Sequence, residues 1–208
     1  MSHFDFFNGD ADGICALHQL RLSHPIESTL VTGVKRDIGL VSKIAPAEVT
    51  SASVLDVSFD KNRDAVVALL EAGASVEYFD HHFAGEIPDN AKFDVHIDTA
   101  ADVCTSLLVD THLGGAHRAW AVTATFGDNL HASAREAARS LDLSRDDLSA
   151  LEELGTLINY NGYGPKIDDL HFDPEALYRK IQPYADPFDF INNDPAFATL
   201  RDGYADDR

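Results

Sequence analysis

Short runs of β-branched and aromatic residues alternate with helical patterns through the first half of the chain, and this alternation constrains the fold more than any other feature. Strands are predicted over 3–7, 29–34, 54–57 and 75–79, and helical stretches over 13–22, 41–44 and 64–72. Ile14, Leu17 and Leu20 share one side of the first helix, which His24 and Pro25 stop, and Gly73 closes the third. Strand, helix, strand at this spacing folds as right-handed crossovers, giving an α/β architecture: a parallel sheet with helices on both faces. From about Val103 helical patterns dominate, over 105–113, 118–126, 133–141 and 146–160, and again over 174–181 and 196–204. The segment NYNGYGP at 159–165 is the clearest breaker. The expected division is therefore an α/β domain over 1–165 and a helical C-terminal region over 166–208. The last helical pattern is unfinished at Arg208, as expected of a connector to a further domain.

Charge narrows the function. The 208 residues carry 16 Lys+Arg against 35 Asp+Glu, a formal net charge of −19. That balance argues against wrapping duplex DNA, which needs a broad cationic surface, and against docking on an anionic membrane. It leaves room for a phosphorylated ligand, because bound cations reverse the sign of a local acidic site. No basic segment followed by an apolar one opens the chain and no apolar run approaches a membrane span, so a cytoplasmic location is expected. Cys15 and Cys104 have no close cysteine partners and are read as small buried residues rather than as a disulfide or zinc site.

In an open α/β sheet, ligands gather beyond the carboxyl ends of the strands. Asn8-Gly9-Asp10-Ala11-Asp12-Gly13 follows the first predicted strand, Asp56 lies at the end of the third, and Asp80-His81-His82 follows the fourth. A further group, Gly127-Asp128-Asn129, ends the helix that contains Trp120. Any one of these reads as a turn or a cap. Converging at one sheet edge, they would repel one another unless cations lay between them. Carboxylates mixed with imidazole suit Mn²⁺ or a similar divalent ion. A carboxylate bridging two ions about 3.5–4 Å apart forms the arrangement that activates water and neutralises phosphoryl oxygens.

The ordered set Asn8-Gly-Asp10-Ala-Asp12-Gly, Asp56, Asp80-His81-His82 and Gly127-Asp128 resembles the DHH phosphoesterase superfamily, which includes RecJ exonucleases, nanoRNases, cyclic-dinucleotide phosphodiesterases and exopolyphosphatases. The stretch from His96 through Asp98 to Thr105 and Ser106 resembles the segment that follows the triplet in nanoRNase-like members. The resemblance implies two Mn²⁺ ions, with Mg²⁺ or Co²⁺ as substitutes. It places Asp10 and Asp12 on separate ions, Asp56 as the bridge, and His81 and Asp128 on the second ion. Asp80 would orient the rings and His82 would face the scissile phosphate. Thr105 and Ser106 would open a helix whose N–H groups either receive a phosphate or are capped.

Two departures from the family pattern stand out. Asn8 occupies a position where the family commonly has His or Asp, which implies weaker loading at the first ion. No Gly-rich, His-containing motif of the family's C-terminal domain follows Asn129; Gly114-Gly115-Ala116-His117 is read as a turn entering a helix. Lys35 and Arg36 are candidates to meet a substrate phosphate, Arg36 carried forward among the substrate-binding residues, while a solvated pair is the favoured reading. Trp120 and the phenylalanines at 4, 6, 7, 59 and 79 are assigned to the core. The expected activity is Mn²⁺-dependent hydrolysis of a phosphodiester or phosphoanhydride in a nucleotide, a short single-stranded oligonucleotide or another small phosphorylated substrate. An exopolyphosphatase and a non-catalytic nucleotide- or metal-binding regulatory module are the alternatives.

Overall fold

The computed structural model describes residues 2–207. Five strands, β1 (His3–Phe7), β2 (Thr29–Val31), β3 (Ser51–Leu55), β4 (Ser75–Asp80) and β5 (Phe93–Ile97), form one all-parallel sheet in the order β2-β1-β3-β4-β5. Helix α1 (Ala11–Ser23) joins β1 to β2, and α2 (Phe59–Glu71) joins β3 to β4. After β5 come α3 (Thr105–His112), α4 (Arg118–Gly127), α5 (His131–Ala138), α6 (Arg145–Asn161), α7 (Pro174–Ile181), α8 (Pro187–Asn193) and α9 (Pro195–Asp206). The chain leaves β1 toward β2 and returns on the other side of β1 to form β3. The loops after β1 and β3 therefore diverge at this reversal, which is where such sheets open a crevice.

Strand periodicity assigns each face. Phe7, Leu55 and Phe79 lie in register across β1, β3 and β4 and pack under Ile14, Leu17 and Leu20 of α1, Trp120 of α4 and Leu154 of α6. Their neighbours Phe6, Val54 and Tyr78 point the other way, against Val66, Leu69 and Leu70 of α2. Both faces are covered, which is why these strands read as nearly continuous apolar runs. Trp120 and the five phenylalanines are buried, as are Cys15 and Cys104.

Several expectations change. The division at residue 165 is not a break in the core, since Leu177, Tyr178, Phe190, Phe197 and Leu200 belong to the same apolar cluster as Phe7 and Trp120. Helix α1 begins at Ala11 rather than 13, because the Asp10 carboxylate accepts the Gly13 N–H at 3.1 Å and caps it. The third strand ends at Leu55, two residues before the expected end. Strand β5 and helix α8 were not expected from the sequence pattern. Gly114 and Gly115 form a turn between α3 and α4 with φ of 64° and 81°, a conformation glycine adopts without strain. Among the described residues, no helix is long and apolar enough to cross a membrane.

Candidate metal centre

Four segments meet at the crevice. The turn after β1 supplies Asn8 and Asp10, and the first turn of α1 supplies Asp12. The residue after β3 supplies Asp56, the end of β4 and its loop supply Asp80, His81 and His82, and the C-terminal cap of α4 supplies Asp128. Asp12, Asp56 and Asp80 are at most 3% exposed. Asp56 has φ of 57°, a left-handed conformation that a non-glycine residue holds only when its surroundings impose it, at about 1–3 kcal/mol. Here the Asp56 N–H donates to the Phe79 carbonyl at 3.0 Å, which turns the side chain into the crevice.

His81 sits at the middle of the cluster. Its Nδ1 lies 3.0 Å from the Val103 carbonyl, which can only accept, so Nδ1 carries a hydrogen. The Nε2 of this ring is 3.4 Å from Asp56, 3.8 Å from Asp12 and 3.9 Å from Asp128. His82 Nδ1 meets the Asp80 carboxylate at 2.6 Å, and the other Asp80 oxygen accepts the Phe59 N–H at 3.1 Å. Asp80 thus fixes a ring rather than facing the open space.

The crowding shows in proton affinity. Full burial, then repulsion from Asp10, Asp12, Asp80 and Asp128, pushes the Asp56 carboxyl well above the usual range. Burial, followed by Asp12 and Asp10, raises Asp128 to about 6, although His81 and Lys35 oppose the shift. The hydrogen bond from His82 to Asp80 raises the histidine against the effect of burial.

Of the two alternatives at the start of α3, the structure shows the capped one: the N–H groups of Thr105 and Ser106 donate to the two carboxylate oxygens of Asp12 at 2.8 and 2.7 Å. The Thr105 hydroxyl donates to Asp56 at 3.1 Å. Of the Lys35-Arg36 pair, Arg36 is exposed and does not line the cavity, whereas Lys35 does. Its Nζ lies 2.7 Å from Asp10 and 3.0 Å from Asn159, a residue that read only as part of a chain breaker.

The cavity over these groups is about 330 Å³ and is lined by Asn8, Asp10, Lys35, Asp56, His81, His82 and Asp128, with Lys61 at its edge. A larger depression of about 1150 Å³ lies along β5 and α3, away from the converging carboxylates. Two groups of ligand atoms, Asp12-His81-Asp128 and Asp56-His81-His82, are each close enough to share an ion.

Together, the fold and site define a parallel α/β protein with a carboxylate and histidine centre at the switch point of its sheet. No known family model matches the chain, and no curated protein does. Among solved structures, the chain is similar to a RecJ exonuclease bound to manganese, with 15% identity and a TM-score of 0.49 over 97% of this chain and 60% of that one. It is also similar to RecJ in complex with Mn²⁺ from Thermus thermophilus, with 13% identity and a TM-score of 0.45 over 88% of this chain and 34% of that one. The chain thus spans less than two thirds of either exonuclease.

Proposed function

We propose that this protein is a divalent-metal-dependent phosphoesterase. Its substrate is a small phosphorylated molecule, a nucleotide or short single-stranded oligonucleotide, cleaved at a phosphodiester or phosphoanhydride bond. One observation carries the reading: the Nε2 of His81 lies 3.4–3.9 Å from the buried carboxylates of Asp12 and Asp56 and the half-buried one of Asp128, while its Nδ1 faces a carbonyl. The Val103 carbonyl holds the Nδ1 side of the ring, which leaves Nε2 directed at the carboxylates, and a cation bound among them relieves the repulsion between Asp10, Asp12, Asp56 and Asp128.

The donor set fits such an ion. Oxygen ligands with one imidazole match Mn²⁺ and its neighbours, and the buried Asn8 Oδ1 has no hydrogen-bond partner. Asp12, Asp56, His81 and Asp128 would hold a divalent ion, which when bound supplies charge neutralisation at a phosphoryl oxygen and lowers the pKa of water. The protein's own groups account for the rest. Thr105 and Ser106 fix Asp12, Val103 fixes the His81 tautomer, and Asp80 turns His82 and helps it keep a proton. His82 is the group to donate to a departing oxygen, since its side chain is 46% exposed at the cavity rim. A cavity of about 330 Å³ suits a nucleotide-sized group.

The test is hydrolysis of bis(p-nitrophenyl) phosphate, a short single-stranded oligonucleotide and a short polyphosphate under Mn²⁺ titration, by wild type and Asp56→Ala. The expected result is Mn²⁺-dependent turnover by the wild type alone. A preference for polyphosphate would assign the exopolyphosphatase reading. Mn²⁺ binding without turnover of any of the three would make the protein a binding module instead.

A further inference from the structure

We propose that the Lys35 ammonium occupies the place of one of the two divalent ions, so that this chain loads a single ion on Asp12, Asp56, His81 and Asp128 beside a built-in cation at Asp10. The inference rests on the metal-centre reading above and refines it.

Both oxygens of the Asp10 carboxylate are already engaged. Oδ1 accepts the Gly13 N–H at 3.1 Å and caps α1, while Oδ2 meets Lys35 Nζ at 2.7 Å. The ammonium is held on further sides. It donates to Asn159 Oδ1 at 3.0 Å, lies 3.8 Å from Asp128 Oδ1 and stands 5.1 Å from the Tyr163 ring centroid. Its backbone is also fixed, since the Lys35 N–H donates to the Gly162 carbonyl at 2.9 Å. Only 24% of the side chain is exposed, so this is a packed position rather than a passing surface contact.

The remaining oxygen nearby belongs to Asn8, which is neutral. An ion at Asp10 would therefore have to displace an ammonium from the anionic oxygen it meets at 2.7 Å and complete its shell with an amide. Asp10, Asp12, Asp56 and Asp128 carry four negative charges when ionised, and one divalent ion with Lys35 brings three positive ones, leaving a single negative charge, so neutralisation does not call for a second ion. The neutral Asn8 and the inserted lysine are thus complementary: one removes a negative ligand and the other adds a fixed positive charge.

The consequence for the reaction is geometric. A lysine is a point charge with directional N–H donors and binds a phosphate oxygen without activating water. Water activation would fall to the single ion, with Lys35 restricted to neutralising and orienting the phosphate.

The test counts metal directly. The metal-free chain is titrated with Mn²⁺ alone, and bound ions are counted by calorimetry and by electron paramagnetic resonance, for wild type, Lys35→Met and the double variant Asn8→Asp/Lys35→Met. Far-UV circular dichroism verifies that each variant is folded. One ion per wild-type chain, an uncoupled spectrum, and a second ion with a spin-coupled signal in the double variant are expected. Two ions in the wild type, or a coupled dimanganese spectrum, would overturn the inference and leave the phosphoesterase reading intact. A folded double variant that still binds one ion would overturn it too, because Lys35 would not be what excludes the second. If the double variant does not fold, the wild-type count decides. Absence of any bound Mn²⁺ in the wild type would remove both readings.

Discussion

Ser106 holds Asp12 from two sides across 94 positions of sequence: its N–H donates to Oδ1 at 2.7 Å, and its hydroxyl donates to the Asp12 carbonyl at 2.9 Å. The Thr105 N–H takes the other carboxylate oxygen. The free amides that open α3 thereby find their acceptor inside the protein. The same short segment reaches Asp56 through the Thr105 hydroxyl, so the start of α3 orients two carboxylates of the candidate metal centre.

Removing either hydroxyl separates stability from binding. Ser106→Ala loses a buried hydrogen bond to backbone and is expected to reduce unfolding free energy by about 1 kcal/mol in urea denaturation. Thr105→Val keeps the shape but frees Asp56 to rotate. Its Mn²⁺ affinity is expected to fall roughly tenfold by calorimetry, as when a group orienting a metal ligand is removed. Unchanged affinity would mean that Asp56 is held by its backbone alone.

The crowded carboxylates oppose folding of the metal-free chain. Asp128 has its folded pKa raised to about 6, against about 3.9 in an unfolded chain. A raised acid contributes its full stability below pH 4, and that contribution is lost as pH climbs through 6. The loss is roughly 2–3 kcal/mol. The metal-free wild type is therefore expected to lose stability relative to Asp128→Asn between pH 4 and 6, measured as the difference between their urea midpoints at each pH. Excess Mn²⁺ should reverse the sign, because the ion binds the ionised carboxylates and adds about 2.7 kcal/mol at a hundredfold excess over its dissociation constant.

The alternating pattern of the first half placed β1, β4 and α1 to within two residues and the end of α2 to within one, because their periods differ and their ends carry Gly, Pro or Asp signals, whereas α2 starts at Phe59, five residues before the expected start. Strand β5 escaped because Phe93-Asp94-Val95-His96-Ile97 alternates apolar and polar residues as an edge strand does, and it follows a loop with no helix between. The site was legible in its acids and histidines, since strand ends converge in any open parallel sheet. What the pattern did not carry were the contacts between distant segments. Asn159 and Lys35 come together because α6 ends beside the loop after β2, and nothing local to either residue encodes that meeting. The role of the α3 amides was equally hidden, because a helix N-terminus reads the same whether a phosphate or a distant aspartate faces it.

In the middle of β1, a second buried charge makes a contrasting prediction. Burial alone would raise Asp5, but paired bonds from Arg21 at 2.9 and 2.6 Å, with His3 and Ser28, hold it at about 2. A depressed acid stabilises above its unfolded pKa and loses that contribution as pH falls from about 4 through 2. Asp5→Asn leaves the Arg21 guanidinium buried without its anion and is expected to cost about 3–5 kcal/mol at neutral pH. Its urea midpoint should become flat across the acid window. Asp5 does not line the metal cavity, so the Mn²⁺ stoichiometry of folded Asp5→Asn should match the wild type.

The position of Asp128 depends on a contact between two backbones. Gly155 of α6 lies so close to α4 that a Cβ there would stand 2.0 Å from the Thr123 carbonyl and 2.9 Å from the Gly127 nitrogen. Neither backbone atom can move without shifting the end of α4, and Asp128 caps that end. Gly155→Ala is therefore expected to destabilise by roughly 3 kcal/mol, at the upper end for overpacking. It should also weaken Mn²⁺ binding at concentrations where the variant remains folded, because Asp128 is carried away from His81. Gly39→Ala is the control: the nearest atom to its Cβ is the Ser42 hydroxyl at 3.8 Å, so stability and Mn²⁺ affinity should both stay at the wild-type level. Calorimetric titration of the three proteins checks the coupling. A destabilised Gly155→Ala that binds Mn²⁺ as tightly as wild type would show that Asp128 is placed independently of the α4 and α6 contact.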